Sequence, residues 1–456
     1  MNDLSHDVKI WGIRARKGAR GTGYVVRWLV AGEPFQDTFS KRAQADAFRS
    51  QLLTAARKGE GFSAYNGLPK SLVAKAATVN WYEFAIKYAD RKWDSSAATT
   101  RRTTAKILAR TTIALLPRQP TKVDPDMLRR ALISFAFNKL KREQASSSVE
   151  QILRSVKRLS PTMAVWEAPD RIDGILAKIY TRLDGKPVAH SHKRLITRHL
   201  KLIFNYATEC GVLSGNPIPK EKGRVKPKPV DKRSLVNRVV AGKLLDEVRD
   251  YRPNGETLHG YLATMYFAGL RPEEVSALVV GDVILPAEDA DDQWGELVLH
   301  RAAPLAGRGW TNSGDPYDER QLKGRDEGDT RVVPCHPDLT TILREHVRGK
   351  KPGQLVFTGV KGGRVSPTVI GRAWDQARKA VLSAAEYASL LGKRPYDLRH
   401  TCLTTWLNNG APPARVAYWA GNSVPVLLMT YVHCVEGEFE QLKARLESAQ
   451  GALRAS

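Results

Sequence analysis

The sequence predicts a mainly α-helical protein with small β-sheets, an α+β fold, divided into several domains. Apolar residues recur at helical spacing over long stretches, whereas strand-like alternation is confined to Val8–Phe39 and to a segment between Trp294 and Pro334. At 456 residues the chain is too long for one ordinary core, because domains usually hold about 100–200 residues. We therefore expect three folded domains and a linker.

The first of these is an N-terminal module, residues 1–65. Short apolar runs with Gly-rich breaks predict a three-stranded antiparallel sheet, and Ser40 can cap a following helix that runs through Leu53. Because a β-sheet can dock in a DNA groove, we expect the basic residues of the first two strands to contact DNA; a solvated charged face is the alternative. These residues are Arg14, Arg16, Lys17, Arg20 and Arg27.

The second predicted domain, residues 74–216, is all-helical. Its clearest element runs from Lys193 to Cys210, where apolar residues form one stripe and Gly211 ends the helix in the left-handed conformation. Four basic residues lie largely off the stripe and are candidate DNA contacts: Lys193, Arg194, Arg198 and Lys201.

A basic linker, residues 217–234, and a C-terminal domain, residues 235–456, complete the chain. The linker is rich in Pro and Lys, and its composition fits either a spacer or a strap that follows DNA. The C-terminal domain is mixed but mostly helical, and its β segment carries Lys323 just before a turn between two strands.

Charge points to a polyanionic partner. The chain has 72 Lys and Arg against 47 Asp and Glu, a formal charge of +25, which favours nucleic acid over the alternative of a merely basic soluble protein. No stretch approaches the ~18 apolar residues of a membrane span, and the N-terminus lacks the apolar core of a signal peptide, so we expect a cytoplasmic protein without membrane contact.

The four cysteines are widely spaced and predict reduced thiols rather than disulfides. Cys434 and its neighbour His433 could join a distant cysteine at zinc, but adjacent ligands lack zinc-finger spacing. We expect no metal site and no cofactor.

Two segments place an arginine at the start of a helix. In the run Ala268–Glu274, Gly269 ends one helix and Pro272 opens the next, so Arg271 lies where partial positive charge favours anions and Glu274 can brace it. In the run Pro395–Thr401, Asp397 is a candidate N-cap, which places Arg399 in the first turn. A planar guanidinium can hold two phosphate oxygens, so two such arginines suit one phosphate.

A third segment, Trp419–His433, carries a candidate nucleophile. Gly421 ends one helix, Ser423 and Pro425 begin a short one, and Tyr431 lies near its C-terminal end. Singly these signals are weak, since a lone tyrosine is usually part of a core.

The order and spacing of these residues closely resemble the signature of the tyrosine recombinase (phage integrase) family. The resemblance is strongest from about Leu235 to Val435 and extends by architecture to the N-terminal module and helical domain, which correspond to arm-binding and core-binding domains. The matching positions are Arg271, Glu274, Leu278, Asp282-Val283, Lys323, the box Tyr396–Thr401, Gly421, Asn422 and Tyr431.

The resemblance implies a site-specific DNA integrase of a mobile genetic element, of bacterial or phage origin. Tyr431 would attack a backbone phosphate to form a 3′-phosphotyrosine and a free 5′ hydroxyl, without ATP or metal. Arg271 and Arg399 would stabilise the charge on the phosphate oxygens, and Lys323 would protonate the leaving 5′ oxygen. Arg331 could replace Lys323, but a structural contact suits its place in a strand better.

Two positions depart from the family pattern. The first box histidine is Tyr396 and the second His or Trp is Asn422, and although both side chains can hydrogen-bond a phosphate, neither is a base near neutral pH. The proton of Tyr431 therefore has no evident acceptor. His400, His433, water and a depressed phenol pKa remain open, and the resemblance favours a structural role for His400.

The same resemblance implies double-stranded attachment-type DNA sites, a homotetramer on paired sites with a possible free monomer, accessory DNA-bending or directionality proteins, and association with the nucleoid. The stretch Glu438–Leu453 places apolar residues at helical spacing, and such a helix could pack on a neighbouring protomer or on its own chain. Two rival functions are a type IB topoisomerase-like enzyme and a catalytically inactive, sequence-specific DNA-binding protein.

Overall fold

The computed structural model describes residues 4–18, 21–64, 66–72, 78–219, 229–287, 293–322 and 328–431, with Lys443 and Glu447. It forms two compact units: unit 1 is Met1–Lys222 with Arg308–Gly314, and unit 2 is Gly223–Gly307 with Asp315–Ser456. The chain is 53% helical with small antiparallel sheets, so the predicted fold class is confirmed. The finer division into an N-terminal module, a helical domain and a C-terminal domain stays a prediction.

The N-terminal sheet of unit 1 is built around one long strand. The described strands of this region are β1 (Leu4–Ser5), β2 (Val8–Ile10), β3 (Arg14–Gly18), β4 (Gly21–Val30), β5 (Glu33–Phe39) and β6 (Phe62–Ser63). Strands β2 to β5 form the main sheet, and β1 and β6 form a separate two-stranded sheet. β2 and β3 pair with opposite ends of β4, β5 pairs along its other edge, and β1 pairs with β6. The prediction of three strands was wrong, because the first apolar run breaks at Gly12 and contributes both β2 and β3.

Helix α1 (Arg42–Arg57) packs on this sheet. Inward-facing Val26 and Trp28 of β4 meet Leu52 of α1 in the buried core, as the strand alternation requires. The predicted cap was wrong in detail: Lys41 is the N-cap, and the Ser40 hydroxyl instead donates to Oε1 of Gln44 at 3.4 Å.

The rest of unit 1 is helical, as predicted. Its α-helices are α2 (Trp81–Trp93), α3 (Ala98–Leu115), α4 (Pro125–Ala131), α5 (Ser147–Leu159), α6 (Pro169–Ile179) and α7 (His190–Glu209), with a π-helical turn at Leu132–Ala136 and 3₁₀ turns at Arg142–Gln144 and Met163–Glu167. Buried Trp81, Trp166 and Phe204 form an aromatic centre in which the Trp166 and Phe204 rings lie 4.5 Å apart. Gly211 follows α7 with φ +62°, as expected.

Unit 2 surrounds a larger apolar core with helices and, within the described residues, one three-stranded and one two-stranded sheet. The helices are α8 (Arg238–Arg249), α9 (Gly255–Phe267), α10 (Pro272–Val275), α11 (Pro337–Val347), α12 (Pro367–Val381), α13 (Ala384–Ala388), α14 (Asp397–Asn408), α15 (Pro413–Ala420) and α16 (Val424–Tyr431), with 3₁₀ turns at Lys232–Ser234 and Val280–Asp282. The strands are β7 (Val283–Ile284), β8 (Gly295–Leu299), β9 (Arg301–Ala302), β10 (Arg320–Gln321) and β11 (Arg331–Cys335), and β8 lies between β7 and β11.

The helix boundaries of unit 2 bring the predicted motifs to helix ends. Pro272 is the first residue of α10, and Arg399 lies in the first turn of α14, as predicted. Asp397 is not the N-cap, because Tyr396 takes that position and the Asp397 carboxylate accepts hydrogen bonds from Arg394 instead. Within the described residues, no helix is both long and apolar enough to cross a membrane.

Candidate active site

A buried carboxylate organises the charged groups of unit 2. Glu274, only 3% exposed, accepts a hydrogen bond from Nη1 of Arg271 at 2.8 Å through Oε1, and its Oε2 lies 2.8 Å from Nη2 of Arg331. Oε2 also accepts from the backbone N–H of Arg271 at 2.9 Å. One side chain therefore fixes two guanidinium groups from different elements, the start of α10 and strand β11.

Backbone carbonyls at the ends of two helices also accept hydrogen bonds from Arg271 and Arg399. Nη2 of Arg271 donates to the carbonyl of Gly421 at 2.8 Å and to Oδ1 of Asn422 at 2.7 Å. Arg399, 1% exposed, donates through Nη2 to the carbonyl of Ala420 at 2.7 Å and through Nη1 to that of Gly269. The ends of α9 and α15 thus converge on the same cluster.

Gly421 makes this convergence possible. It ends α15 in the left-handed conformation with φ +61°, and the next residue donates its N–H back to the carbonyl of Ala417, which completes the helix C-cap. A Cβ at this position would collide with Nη1 of Arg331 and would lie 2.9 Å from Nη1 of Arg271. Glycine is required here by both the backbone angle and the close approach of the two guanidinium groups.

The cluster of Arg271, Arg331, Arg399 and Glu274, which we call the arginine cluster, is strongly positive. Three guanidinium cations and one carboxylate leave two positive charges in a nearly dry environment. Burial opposes ionisation of Glu274, but Arg331, Arg271 and Arg399 outweigh it and hold the pKa of this carboxyl below its usual value. Burial, together with repulsion from Arg271 and Arg399, lowers the pKa of Arg331 despite the attraction of Glu274.

Donor groups remain in the arginine cluster for an anion. Within the described residues, side-chain hydrogen bonds use three of the five N–H donors of Arg271 and two of the five of Arg399. Nε and Nη2 of Arg331 are buried without a hydrogen-bond acceptor in that part of the chain, although Nη2 forms the ion pair with Glu274. Buried donors and excess positive charge are the properties of an anion site.

A tyrosine–histidine pair forms the second part of the site. Tyr431 ends α16 with 2% of its surface exposed, and its hydroxyl lies 2.8 Å from Nδ1 of His400 on α14. The ring of Tyr396 packs edge-on against His400 with centroids 5.0 Å apart. Tyr396 also lies within electrostatic range of Arg271, so it connects this pair to the arginine cluster.

The structure thus brings most of the predicted site residues together. Arg271, Glu274, Arg399 and Asn422 share one network, and Tyr396, His400 and Tyr431 form an adjoining contact chain. Lys323 and the stretch Glu438–Leu453, apart from Lys443 and Glu447, lie outside the described residues. Among the residues described, no group of three or more His, Cys, Asp or Glu side chains is arranged to hold a metal ion.

The membership of Arg331 in the arginine cluster was not predicted from the sequence. Its position in a β-strand suggested a structural contact, and only its 1% exposure beside Glu274 identifies it as part of the site. The available signal was an arginine among apolar residues of a buried strand, where a charge needs a partner.

The predicted DNA-contact residues of unit 1 are solvent-facing where they are described. Arg14, Arg16 and Arg27 are exposed on the N-terminal sheet, and the Arg27 guanidinium lies 5.7 Å from the centre of the Trp11 ring. On α7, Lys193, Arg194 and Arg198 are exposed, whereas Lys201 is partly buried. Arg20 and the side chain of Lys17 lie outside the described part.

No family model matches the chain, but curated relatives do. It is 21% identical over 268 residues to a tyrosine recombinase XerC-like protein of Caldanaerobacter subterraneus subsp. tengcongensis, covering 57% of this chain and 66% of that one. It is 23% identical over 256 residues to tyrosine recombinase XerC of Bifidobacterium longum subsp. infantis, covering 56% and 64%. The chain thus spans slightly less than two thirds of the length of these relatives.

A comparison with solved structures matches the chain to a lambda integrase tetramer bound to a Holliday junction, with a TM-score of 0.41, 14% identity and 93% coverage of each chain. Fold and site together define a mainly helical protein with a buried arginine cluster beside a tyrosine–histidine pair. The curated relatives that the chain matches are tyrosine recombinases.

We predict that Gly421→Ala destabilises unit 2 by clearly more than the ordinary cost of a left-handed alanine, which is about 1–2 kcal/mol. The added methyl group must displace Arg331 and Arg271, whereas Gly349→Ala, with φ +72° and open space around its Cβ, has only the backbone cost. Urea unfolding followed by tryptophan fluorescence gives both free energies of unfolding. Equal losses in the two variants would show that the close approach at Gly421 does not matter.

Proposed function

We propose that this chain is a site-specific DNA recombinase of the integrase type, which cuts and rejoins DNA strands through a covalent bond to Tyr431. The observation that supports the proposal is the arginine cluster, which has two excess positive charges and which Tyr396 and His400 connect to the hydroxyl of Tyr431. A backbone phosphodiester supplies a single negative charge and two non-bridging oxygens that the remaining N–H donors of Arg271 and Arg399 can bind.

The chemistry follows from that placement. The hydroxyl oxygen of Tyr431 attacks phosphorus, the bond from phosphorus to the 5′ oxygen breaks, and a 3′-phosphotyrosine and a free 5′ hydroxyl result. The bond energy is retained, so a 5′ hydroxyl can reverse the step and rejoin the strand without ATP or metal. Arg271 and Arg399 stabilise the charge that builds on the non-bridging oxygens, a role worth about 3–4 kcal/mol per donor.

Three further residues are assigned supporting roles. Lys323 protonates the leaving 5′ oxygen, so that no alkoxide has to leave. Asn422 holds Arg271 through its Oδ1 atom, at 2.7 Å from Nη2. Tyr396 replaces the histidine found in the family and contributes a phenol hydroxyl that can hydrogen-bond the phosphate.

The proposed partner is double-stranded DNA with attachment-type sites, acted on by four copies of the chain at paired sites, with a monomer as the free form. The charge of +25 supports a nucleic-acid partner, and the family supports recombination. Residues 1–65 are assigned to arm-type sites and residues 74–216 to core sites. Accessory DNA-bending or directionality proteins, and action at the nucleoid in a bacterial cytoplasm, complete the proposal.

The first prediction of this proposal concerns the nucleophile. When the chain is incubated without metal with a nicked suicide DNA substrate carrying its native flanking sequence, denaturing electrophoresis should show a DNA-linked protein band. Tyr431→Phe removes the attacking oxygen and should abolish the band, whereas Tyr418→Phe, at a 39% exposed tyrosine, should keep it.

The other outcomes would indicate a different nucleophile or one of the two rival functions. A band that survives Tyr431→Phe places the nucleophile elsewhere, and no band despite intact DNA binding favours the non-catalytic DNA-binding protein. A band together with relaxation of supercoils lacking any attachment site favours the topoisomerase-like enzyme.

The second prediction concerns α7. Replacing exposed Lys193, Arg194 and Arg198 with alanine should weaken binding to every DNA sequence and reduce the slope of log affinity against log salt by about 3, because each lost phosphate contact removes about 0.9. Filter binding at several salt concentrations measures that slope. The charge-conserving triple variant Lys193→Arg, Arg194→Lys, Arg198→Lys is the control, and an unchanged slope in the alanine variant would remove α7 from the DNA interface.

A further inference from the structure

The proton of the Tyr431 hydroxyl needs an acceptor during attack on phosphorus. A phenol is a weak nucleophile while it carries its proton, and its ordinary pKa is about 10. The family's box histidine is absent, since Tyr396 stands at that position, and neither Tyr396 nor Asn422 is a base near neutral pH. Of the other candidates, His433 lies outside the described residues, and water is a far weaker base than an imidazole.

His400 has the required position. Its Nδ1 atom lies 2.8 Å from the Tyr431 hydroxyl oxygen, well inside the range of a hydrogen bond to a proton that is about to be transferred. The two residues come from different helices, α14 and α16, and each is held by its helix. Thr430, next to Tyr431, also accepts a hydrogen bond from the backbone N–H of Val230 at 2.8 Å, which fixes the end of α16.

We propose that His400 is the general base that takes the proton of Tyr431 during DNA cleavage. The inference rests on the proposed function, because it assigns a role within the same covalent step. It revises the structural role that the family resemblance favoured for His400.

The step balances without an added reactant. The O–H bond of Tyr431 breaks and its proton goes to Nδ1 of His400, while the tyrosine oxygen forms a bond to phosphorus. The bond from phosphorus to the 5′ oxygen breaks, and that oxygen takes a proton from Lys323. In the rejoining step the 5′ hydroxyl gives its proton back to Lys323 as its oxygen bonds to phosphorus, and the imidazolium of His400 returns its proton to the leaving tyrosine oxygen. Nδ1 must begin unprotonated, so the neutral ring carries its hydrogen on Nε2.

The surroundings of His400 keep the ring neutral before the reaction. The pKa of His400 is lowered to about 4, mainly by burial; Asp397 opposes this effect, and repulsion from Arg394 and Arg399 adds to it. Among the described residues, the phenols of Tyr396 and Tyr431 also face the ring. The proton-accepting form is therefore present above this pKa and is lost as the pH falls through it.

DNA binding should make His400 a stronger base. A phosphodiester at the arginine cluster brings a negative charge beside Arg399, one of the groups that repel the imidazolium. The pKa of His400 in the DNA complex should consequently rise above its value in the free chain. Substrate binding and proton acceptance are linked through the same arginine.

The test measures single-turnover cleavage of the suicide substrate between pH 5 and 9. In the wild type, the rate should stop rising with pH once His400 is neutral. In His400→Ala we expect a loss of about 100-fold or more and a rate that rises about tenfold per pH unit across the range, because hydroxide must remove the proton. Added imidazole should restore cleavage in His400→Ala.

Two variants separate a base from a positioning group. His400→Gln keeps an atom that can accept a hydrogen bond from Tyr431 but cannot take its proton, so it should bind DNA normally and cleave as poorly as His400→Ala. His6→Gln, at an exposed histidine in the N-terminal segment, controls for general effects of histidine loss.

Recovery of cleavage in His400→Gln, or an unchanged pH profile without imidazole rescue in His400→Ala, would overturn the base assignment and leave the proposed function intact. Absence of a Tyr431-linked adduct in the wild type would overturn both.

Discussion

The candidate site depends on the ion pairs of Glu274 with Arg271 and Arg331. A charge buried in a protein interior is costly unless it is paired, and here one carboxylate, 3% exposed, compensates one of three guanidinium groups. The two remaining positive charges disfavour the anion-free site and favour the anion-bound one. The same excess positive charge that costs stability in the free protein therefore favours binding of an anion.

The chain path explains how these charges are held so close together. Carbonyl oxygens of Gly269, Ala420 and Gly421, at the ends of two helices, accept hydrogen bonds from Arg399 and Arg271. Helix ends leave such carbonyls without partners, so the arginines satisfy the backbone while the backbone positions them. The positions of these arginine side chains therefore depend on where the helices end as much as on the charges of the site.

Local signals in the sequence predicted part of this arrangement. Gly269 and Pro272 located Arg271 at a helix start, and Gly421 was correctly assigned to a helix end. The pairing of Arg331 with Glu274 could not be predicted, and His400 was only one of several open acceptors for the Tyr431 proton, because both contacts join elements that only the tertiary fold brings together. The division of the first predicted strand into β2 and β3 was not predicted for a related reason, because these two strands are defined by their pairing with β4.

The arginine cluster is proposed to bind a DNA phosphate beside Tyr431. The most direct measurement is a crystal structure of the Tyr431→Phe chain with duplex DNA containing its attachment site. We expect one backbone phosphate whose non-bridging oxygens contact the guanidinium groups of Arg271 and Arg399. The phenylalanine ring at position 431 should face the phosphorus of that phosphate. DNA bound to the protein with no phosphate reaching these arginines would contradict it.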